Sequence, residues 1–247
     1  MYSFLLIGQS NMSGRGRISE AHPIKNDKIY TLRNGRWQKM FRPITPDRSF
    51  AGVSLAESFA ESAVKKYGED VGLICCSDGG TSLDQWRPGD VLFDNAVNCA
   101  RLAMRSSKLV GILWHQGEAD CAPELAATYR ERLMAMVNEL RRQLGVENVP
   151  FIVGALGDFL PLRETSPALA NYRAVNAALM EYADSDPRVA YVAADGLGDN
   201  GDNLHFNSDA LYEFGIRYFD AFDKLFTATD ASDTPDADLG RTEMELL

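Results

Sequence analysis

The sequence predicts an α/β protein, a three-layer α/β/α sandwich built on a five-stranded parallel sheet, and two observations lead there. Five short apolar runs, bounded by Gly, Asp or Pro, recur at Phe4 to Gly8, Val71 to Cys76, Val110 to Trp114, Phe151 to Leu156 and Val189 to Ala193, as strands buried on both faces do. Between them, Ser54 to Tyr67, Pro123 to Leu144, Pro167 to Ala183 and Ser208 to Phe226 carry apolar residues at three-to-four spacing, and Asp94 to Ser106 is a less regular fifth. That spacing is the period of amphipathic helices, and strand–helix alternation gives a parallel sheet covered on both faces. Gly68 and Gly145 stand just past two of the helical segments, where a left-handed residue closes a helix.

A chain of 247 residues suits one α/β domain. We expect that domain over 1–227. From 228 to 247 the sequence is rich in Asp, Thr and Ser, too polar to bury much surface, and reads as an acidic mobile tail. From about Gly14 to Gly52 there is no clear period but several prolines and the aromatics Tyr30, Trp37, Phe41 and Phe50. This reads as a long structured insertion after the first strand. Ligands of open α/β sheets lie at the carboxyl ends of the strands, so the insertion is placed to shape a pocket.

Hydrophobic residues at 45% and charged residues at 24% are those of a soluble globular protein. A net charge of -10 opposes nucleic acid or an anionic membrane as partner and favours a neutral substrate. The four cysteines have no CxxC pair and no zinc-type spacing, so buried thiols are expected and neither a metal nor a disulfide framework. There is no Gly-rich phosphate loop and no histidine cluster, hence no expected cofactor. The opening MYSFLLIGQSNM lacks the basic segment and cleavage site of a leader, and no apolar run approaches a membrane span. A cytoplasmic location is the expectation.

The candidate chemistry follows the strands. After the first comes Gly8-Gln9-Ser10-Asn11-Met12, after the second Asp78-Gly79-Gly80-Thr81-Ser82, after the third His115-Gln116-Gly117-Glu118, and after the fifth Asp202-Asn203-Leu204-His205. A serine hydroxyl needs a base within hydrogen-bond reach, usually a histidine oriented by a carboxylate. The three histidines are His22, in the insertion, His115, at a strand end, and His205, three residues after Asp202. A carboxylate at that spacing can curl back to the imidazole Nδ1 and leave Nε2 for the serine. Ser10 is therefore the expected nucleophile and His205 the expected base. Glu118 competes with Asp202 for the orienting role, or supports Gln116 or His205 from behind. Asn11 is expected to stiffen the nucleophile turn, and His115 to pack or touch substrate.

Taken together, GQSNM at Gly8 to Met12, the aromatic-HQGE block at Trp114 to Glu118 and the Asp-x-x-His-aromatic block at Asp202 to Phe206 resemble the SGNH hydrolase superfamily. The likeness is to its carbohydrate O-acetylesterase branch, the acetylxylan-esterase and sialate-O-acetylesterase-like proteins. The resemblance implies a flavodoxin-like fold and a Ser10–His205–Asp202 triad. It also implies an oxyanion hole made by the amides of Ser10 and Gly80 and the side chain of Gln116, with Gly79 relaxing the turn. The implied reaction removes acetyl groups from a sugar, an acetylated xylan-type oligosaccharide or a sialic acid, without metal or cofactor. Trp86, just after the second block, is the candidate face for a sugar ring, with Trp37 behind it. The alternatives are a lipase or thioesterase acting on a non-sugar ester, which calls for a wide apolar groove, and a catalytically silent glycan-binding module.

Overall fold

The computed structural model describes residues 1–24 and 27–226, and the acidic tail read from 228 to 247 lies outside the described residues. Seven strands form one sheet: β1 (Tyr2–Gly8), β2 (Ile29–Arg33), β3 (Arg36–Lys39), β4 (Val71–Cys75), β5 (Lys108–His115), β6 (Phe151–Gly154) and β7 (Val189–Val192). Their order is β3-β2-β4-β1-β5-β6-β7. The five expected strands are all present and mutually parallel, and their order, 2-1-3-4-5 among themselves, is the flavodoxin-like arrangement.

The expected five-stranded, all-parallel sheet is corrected by the other two strands. They come from the stretch that shows no clear period. β2 joins β4 in parallel, and β3 returns antiparallel to β2, so the sheet is mixed. Two features seat this hairpin. Asn34 and Gly35 both have positive φ, 50° and 78°, as a tight hairpin turn requires. Trp37, 3% exposed, lays its ring against Gly72 of β4, where a Cβ would stand 2.5 Å from a ring carbon.

Helices cover both faces. They are α1 (Ser10–Ser13), α2 (Leu55–Tyr67), α3 (Val91–Ala103), α4 (Pro123–Ala126), α5 (Tyr129–Leu144), α6 (Tyr172–Ser185) and α7 (Ser208–Leu225). α2 and α7 pack together on one face, where Phe59 and Phe222 meet Phe4 edge-on at centroid distances of 4.8 and 5.1 Å. On the other face α3, α5 and α6 lie side by side, and Trp114 meets Trp86 edge-on at 5.6 Å. Gly68 and Gly145 close α2 and α5 in the left-handed conformation, as expected. The helix expected over Pro123 to Leu144 is broken at Thr128, whose backbone is not helical. The one expected from Pro167 opens as a 3-10 turn and becomes α-helical at Tyr172. No helix among the described residues is long and apolar enough to cross a membrane.

The α5–α6 edge rests on one buried guanidinium. Arg141, 1% exposed, donates to Asp186 Oδ2 at 3.0 Å and to the carbonyls of Val149 and Arg188 at 2.9 and 3.2 Å. Burial by itself would raise the Asp186 carboxyl, but hydrogen bonds from Arg188 and the charges of Arg141 and Arg188 hold it down to about 2. Asp186→Ala leaves that guanidinium unpaired and should cost about 3–5 kcal/mol in urea unfolding at neutral pH. The folded carboxyl titrates below its unfolded value of about 3.9, so its contribution is complete above that pH. It is lost as pH falls toward about 2. The stability gap between the wild type and Asp186→Asn should narrow over that window.

Candidate active site

The site is built from the carboxyl end of β1 outward. A Cβ at Gly8 would lie 2.2 Å from the His115 carbonyl oxygen, and Gly8 takes a φ of 127°, so only glycine lets β1 end this close to β5. Gln9 donates its N–H to the same carbonyl at 2.9 Å, and the chain turns at once into α1. Ser10 thus stands at the sheet edge, and its N–H, in the first turn of α1, has no intrahelical acceptor.

The opposite wall is the loop after β7. Asp199 Oδ2 accepts the N–H groups of Gly201 and Asn203 at 2.8 and 2.6 Å, and Asn203 adopts a φ of 54°. Asp202 Oδ1 then accepts the N–H groups of Leu204 and His205 at 3.0 and 2.9 Å, while its Oδ2 lies 2.6 Å from His205 Nδ1. Partial burial would raise the Asp202 carboxyl, but the hydrogen bonds from His205 and Leu204 outweigh it and hold it below its ordinary value. An ionised carboxylate only accepts, so Nδ1 carries the imidazole hydrogen and Nε2 keeps its lone pair. Nε2 lies 3.1 Å from Ser10 Oγ.

Asn11 joins the two walls. Its Nδ2 donates to Glu118 Oε1 at 2.5 Å and to the Leu204 carbonyl at 3.2 Å, and its Oδ1 accepts the Phe206 N–H at 3.1 Å. The expectation that Asn11 stiffens its own turn with local hydrogen bonds is corrected: its side chain bonds to Glu118 and to the histidine loop, both distant in the chain. Glu118 is buried against Asn11 and makes no hydrogen bond with His205 among the described residues, so the carboxylate on the imidazole is that of Asp202.

Three expectations for side chains at this edge are corrected. Gln116 is fully buried, and its amide donates to the Thr81 carbonyl at 3.1 Å and to Asp120 Oδ2 at 2.7 Å, while Tyr129 donates its hydroxyl to Gln116 Oε1. Both groups facing Nε2 are acceptors only, so both amide hydrogens are spent and none is left for an oxyanion. Trp86 is fully buried, donating Nε1–H to Thr81 Oγ1 at 3.2 Å, and is no sugar platform. His115 is likewise buried, with Nε2 3.2 Å from the Ala155 carbonyl and its pKa lowered by burial, so it does not touch substrate. Trp37 is the hairpin anchor described above.

Of the second-block glycines, Gly79 spends its N–H on Asp47 Oδ2 at 2.9 Å, whereas that of Gly80 makes no hydrogen bond among the described residues. Gly80 also has a φ of 78° and open space where a side chain would stand. The rim holds Phe50, 68% exposed, and Leu162, 66% exposed. Phe50 lies by Arg15, and Leu162 accepts a long hydrogen bond from Asn203. Sequence reasoning missed Arg163, whose Nη1 donates to the Asp202 carbonyl at 2.6 Å, and the Tyr129–Asp120 pair that fixes Gln116. Nothing in linear spacing marks any of them. Among the described residues no group of His, Cys, Asp and Glu is arranged to hold a metal.

The model of one family, SASA, described as carbohydrate esterase, sialic acid-specific acetylesterase, matches residues 1–224. The chain belongs to this family. It is a carboxylic ester hydrolase of the carbohydrate esterase kind. Among relatives, the probable carbohydrate esterase At4g34215 of Arabidopsis thaliana is 26% identical over 246 residues, covering 89% of each chain. The X-ray structure of the Arabidopsis thaliana protein AT4G34215 superposes with a TM-score of 0.80 at 25% identity, covering 92% of this chain and 99% of that one. XAC1771, a carbohydrate acetylesterase from Xanthomonas citri, shares the fold at a TM-score of 0.66 and 17% identity, covering 91% of this chain and 55% of that one. A lipase/acylhydrolase from Enterococcus faecalis shares it at 0.52 and 13%, over 92% and 96%. One fold thus carries both a carbohydrate acetylesterase and a lipase/acylhydrolase.

The buried indole of this carbohydrate esterase gives a direct test. Trp86→Phe should cost about 1–2 kcal/mol of stability, for a lost hydrogen bond and a smaller ring. It should leave KM for any acetylated sugar unchanged. A raised KM with unchanged stability would return Trp86 to the binding site.

Proposed function

We propose that the protein, with 1–227 acting as one esterase domain, removes O-acetyl groups from a carbohydrate by a Ser–His–Asp acyl-enzyme mechanism. One observation carries the reading: a continuous line of hydrogen bonds from Asp202 Oδ2 through both imidazole nitrogens of His205 to Ser10 Oγ, at 2.6 and 3.1 Å. Ser10 Oγ attacks the acetyl carbonyl as His205 Nε2 takes its proton. The N–H groups of Ser10 and Gly80 receive the oxyanion, and the imidazolium is stabilised by Asp202. His205 then protonates the departing sugar oxygen. Water, deprotonated by His205, attacks the acetyl-serine, and acetate leaves as Ser10 regains its proton.

A polar rim supports a sugar over a fatty acyl substrate. The loops beside Ser10 carry Arg48, Asp78, Asn203 and Arg163, and the exposed apolar side chains on them are Phe50 and Leu162. Phe50 takes the platform role first given to Trp86. Acetylated xylan-type oligosaccharides and O-acetylated sialic acids are the two substrate classes proposed. A silent binding module has no use for an Asp202–His205 pair aimed at a hydroxyl.

Acetate release from a panel of acetylated mono- and oligosaccharides tests the reading. Ser10→Ala should lower kcat by about ten-thousand-fold or more with the protein still folded. Asp202→Asn should lower it by about a thousand- to ten-thousand-fold. Glu118→Gln, which keeps an acceptor for Asn11, should stay within about tenfold of wild type, and the reverse ranking would make Glu118 the orienting acid. Phe50→Ala should raise KM for the preferred sugar by about five- to tenfold, the worth of one stacked ring. KM for p-nitrophenyl acetate should not change. No release from any sugar, with turnover of longer acyl esters, would replace this reading with the lipase-like one.

A further inference from the structure

The turn from Asp78 to Thr81 is held by hydrogen bonds at Asp78, Gly79 and Thr81. Asp78 donates its N–H to the Gly8 carbonyl at 3.0 Å, and its own carbonyl accepts from Thr81 Oγ1 at 2.8 Å. The Thr81 carbonyl accepts from Gln116 at 3.1 Å. Both polar groups of Gly79 are taken by two adjacent residues of the insertion. Asp47 Oδ2 accepts its N–H at 2.9 Å, and Arg48 Nη2 donates to its carbonyl at 2.8 Å, while Arg48 Nη1 reaches Asp78 Oδ1 at 2.7 Å.

In a trans peptide the C=O and N–H point in opposite directions. The bond from Arg48 to the Gly79 carbonyl therefore also sets the direction of the Gly80 N–H, the other half of the same peptide unit. The grip is anchored close to the nucleophile. Arg15, five residues beyond Ser10, meets Asp47 with both terminal nitrogens at 3.0 and 2.7 Å, and each side chain is only 4% exposed. A Cβ at Gly79 would lie 2.4 Å from Arg15 Nη2, 2.9 Å from Asp47 Oδ2 and 3.5 Å from Ser10 Cβ, so three segments meet on this one glycine. A buried ion pair adds little net stability over an apolar pair, and its contribution here is geometric.

We propose that Asp47 and Arg48, anchored by Arg15, are positioning residues that lock the peptide units around Gly79 so that the Gly80 N–H faces the oxyanion formed at Ser10. The inference rests on the acyl-enzyme reading above. It assigns the insertion a part in the chemical step besides any contact with substrate.

Steady-state hydrolysis of p-nitrophenyl acetate, which has no sugar to touch the rim, by Arg48→Ala and Asp47→Asn tests it, with phenylboronic acid as a tetrahedral mimic. Both variants should lose about tenfold or more in kcat with KM within about twofold of wild type, since a small misplacement of a catalytic donor has that effect. Inhibition by the boronic acid should weaken by the same factor as kcat/KM. Arg48 is largely at the surface, so Arg48→Ala should keep the wild-type melting temperature and decides the matter alone if Asp47→Asn does not fold. Arg48→Ala with wild-type kcat, or with the whole loss in KM and boronate binding intact, overturns the proposal while an inactive Ser10→Ala leaves the acyl-enzyme reading standing. If Ser10→Ala itself keeps turning over, both fall.

Discussion

The hydrogen bonds of Asn11 are the constraint on which the rest of the site depends. Ser10 and His205 stand 195 residues apart in the chain, yet Ser10 Oγ and His205 Nε2 sit 3.1 Å apart. Two independently mobile loops could not keep that distance. Asn11 is next to the proposed nucleophile and uses its one side-chain carbonyl and its one amide on both sides of His205, at Phe206 and Leu204. Glu118 takes a further amide hydrogen and so fixes which way the Asn11 side chain faces. A buried amide satisfied in this way is locked, because turning it over would oppose like groups to each of its partners.

Behind Asn11 lies the central strand. β1 is flanked by β4 and β5, and the loops that follow all three converge beside Ser10. The close approach of Gly8 to His115 brings the Ser10 segment down onto β5, where the His115 imidazole packs against Phe206 and Phe214. Packing and presentation of the site are thus one structural event. The opposite face contributes through Trp114, which donates to Tyr129, which in turn holds Gln116 and through it the Thr81 carbonyl. Gln116 therefore shapes the Asp78–Thr81 turn from behind.

Much of this was legible in the chain. The five parallel strands stood out because strands buried on both faces are continuous apolar runs, and the helix ends at Gly68 and Gly145 because left-handed closure favours glycine. The β2–β3 hairpin was not read because Tyr30, Arg33, Arg36 and Lys39 leave it partly solvated, so neither a buried run nor a clean alternation appears. Its one local signal was Asn34-Gly35. The break before Tyr129 was hidden because the apolar spacing continues across it.

What the sequence by itself determined were groups joined by short-range geometry. Asp202 reaches His205 because a carboxylate three residues upstream closes its own turn, and Ser10 stands at the carboxyl end of a buried strand because Gly8 lets the chain turn there. What only the tertiary structure decided was where each long polar or aromatic side chain spends its hydrogen bonds. Gln116, Trp86 and His115 have the right chemistry to meet a substrate, but each has its donors satisfied inside the protein. Asp47, Arg48 and Arg15 have unremarkable spacing and yet converge on Gly79. A side chain's type is written in the sequence, but its partners are set by which loops the sheet brings together.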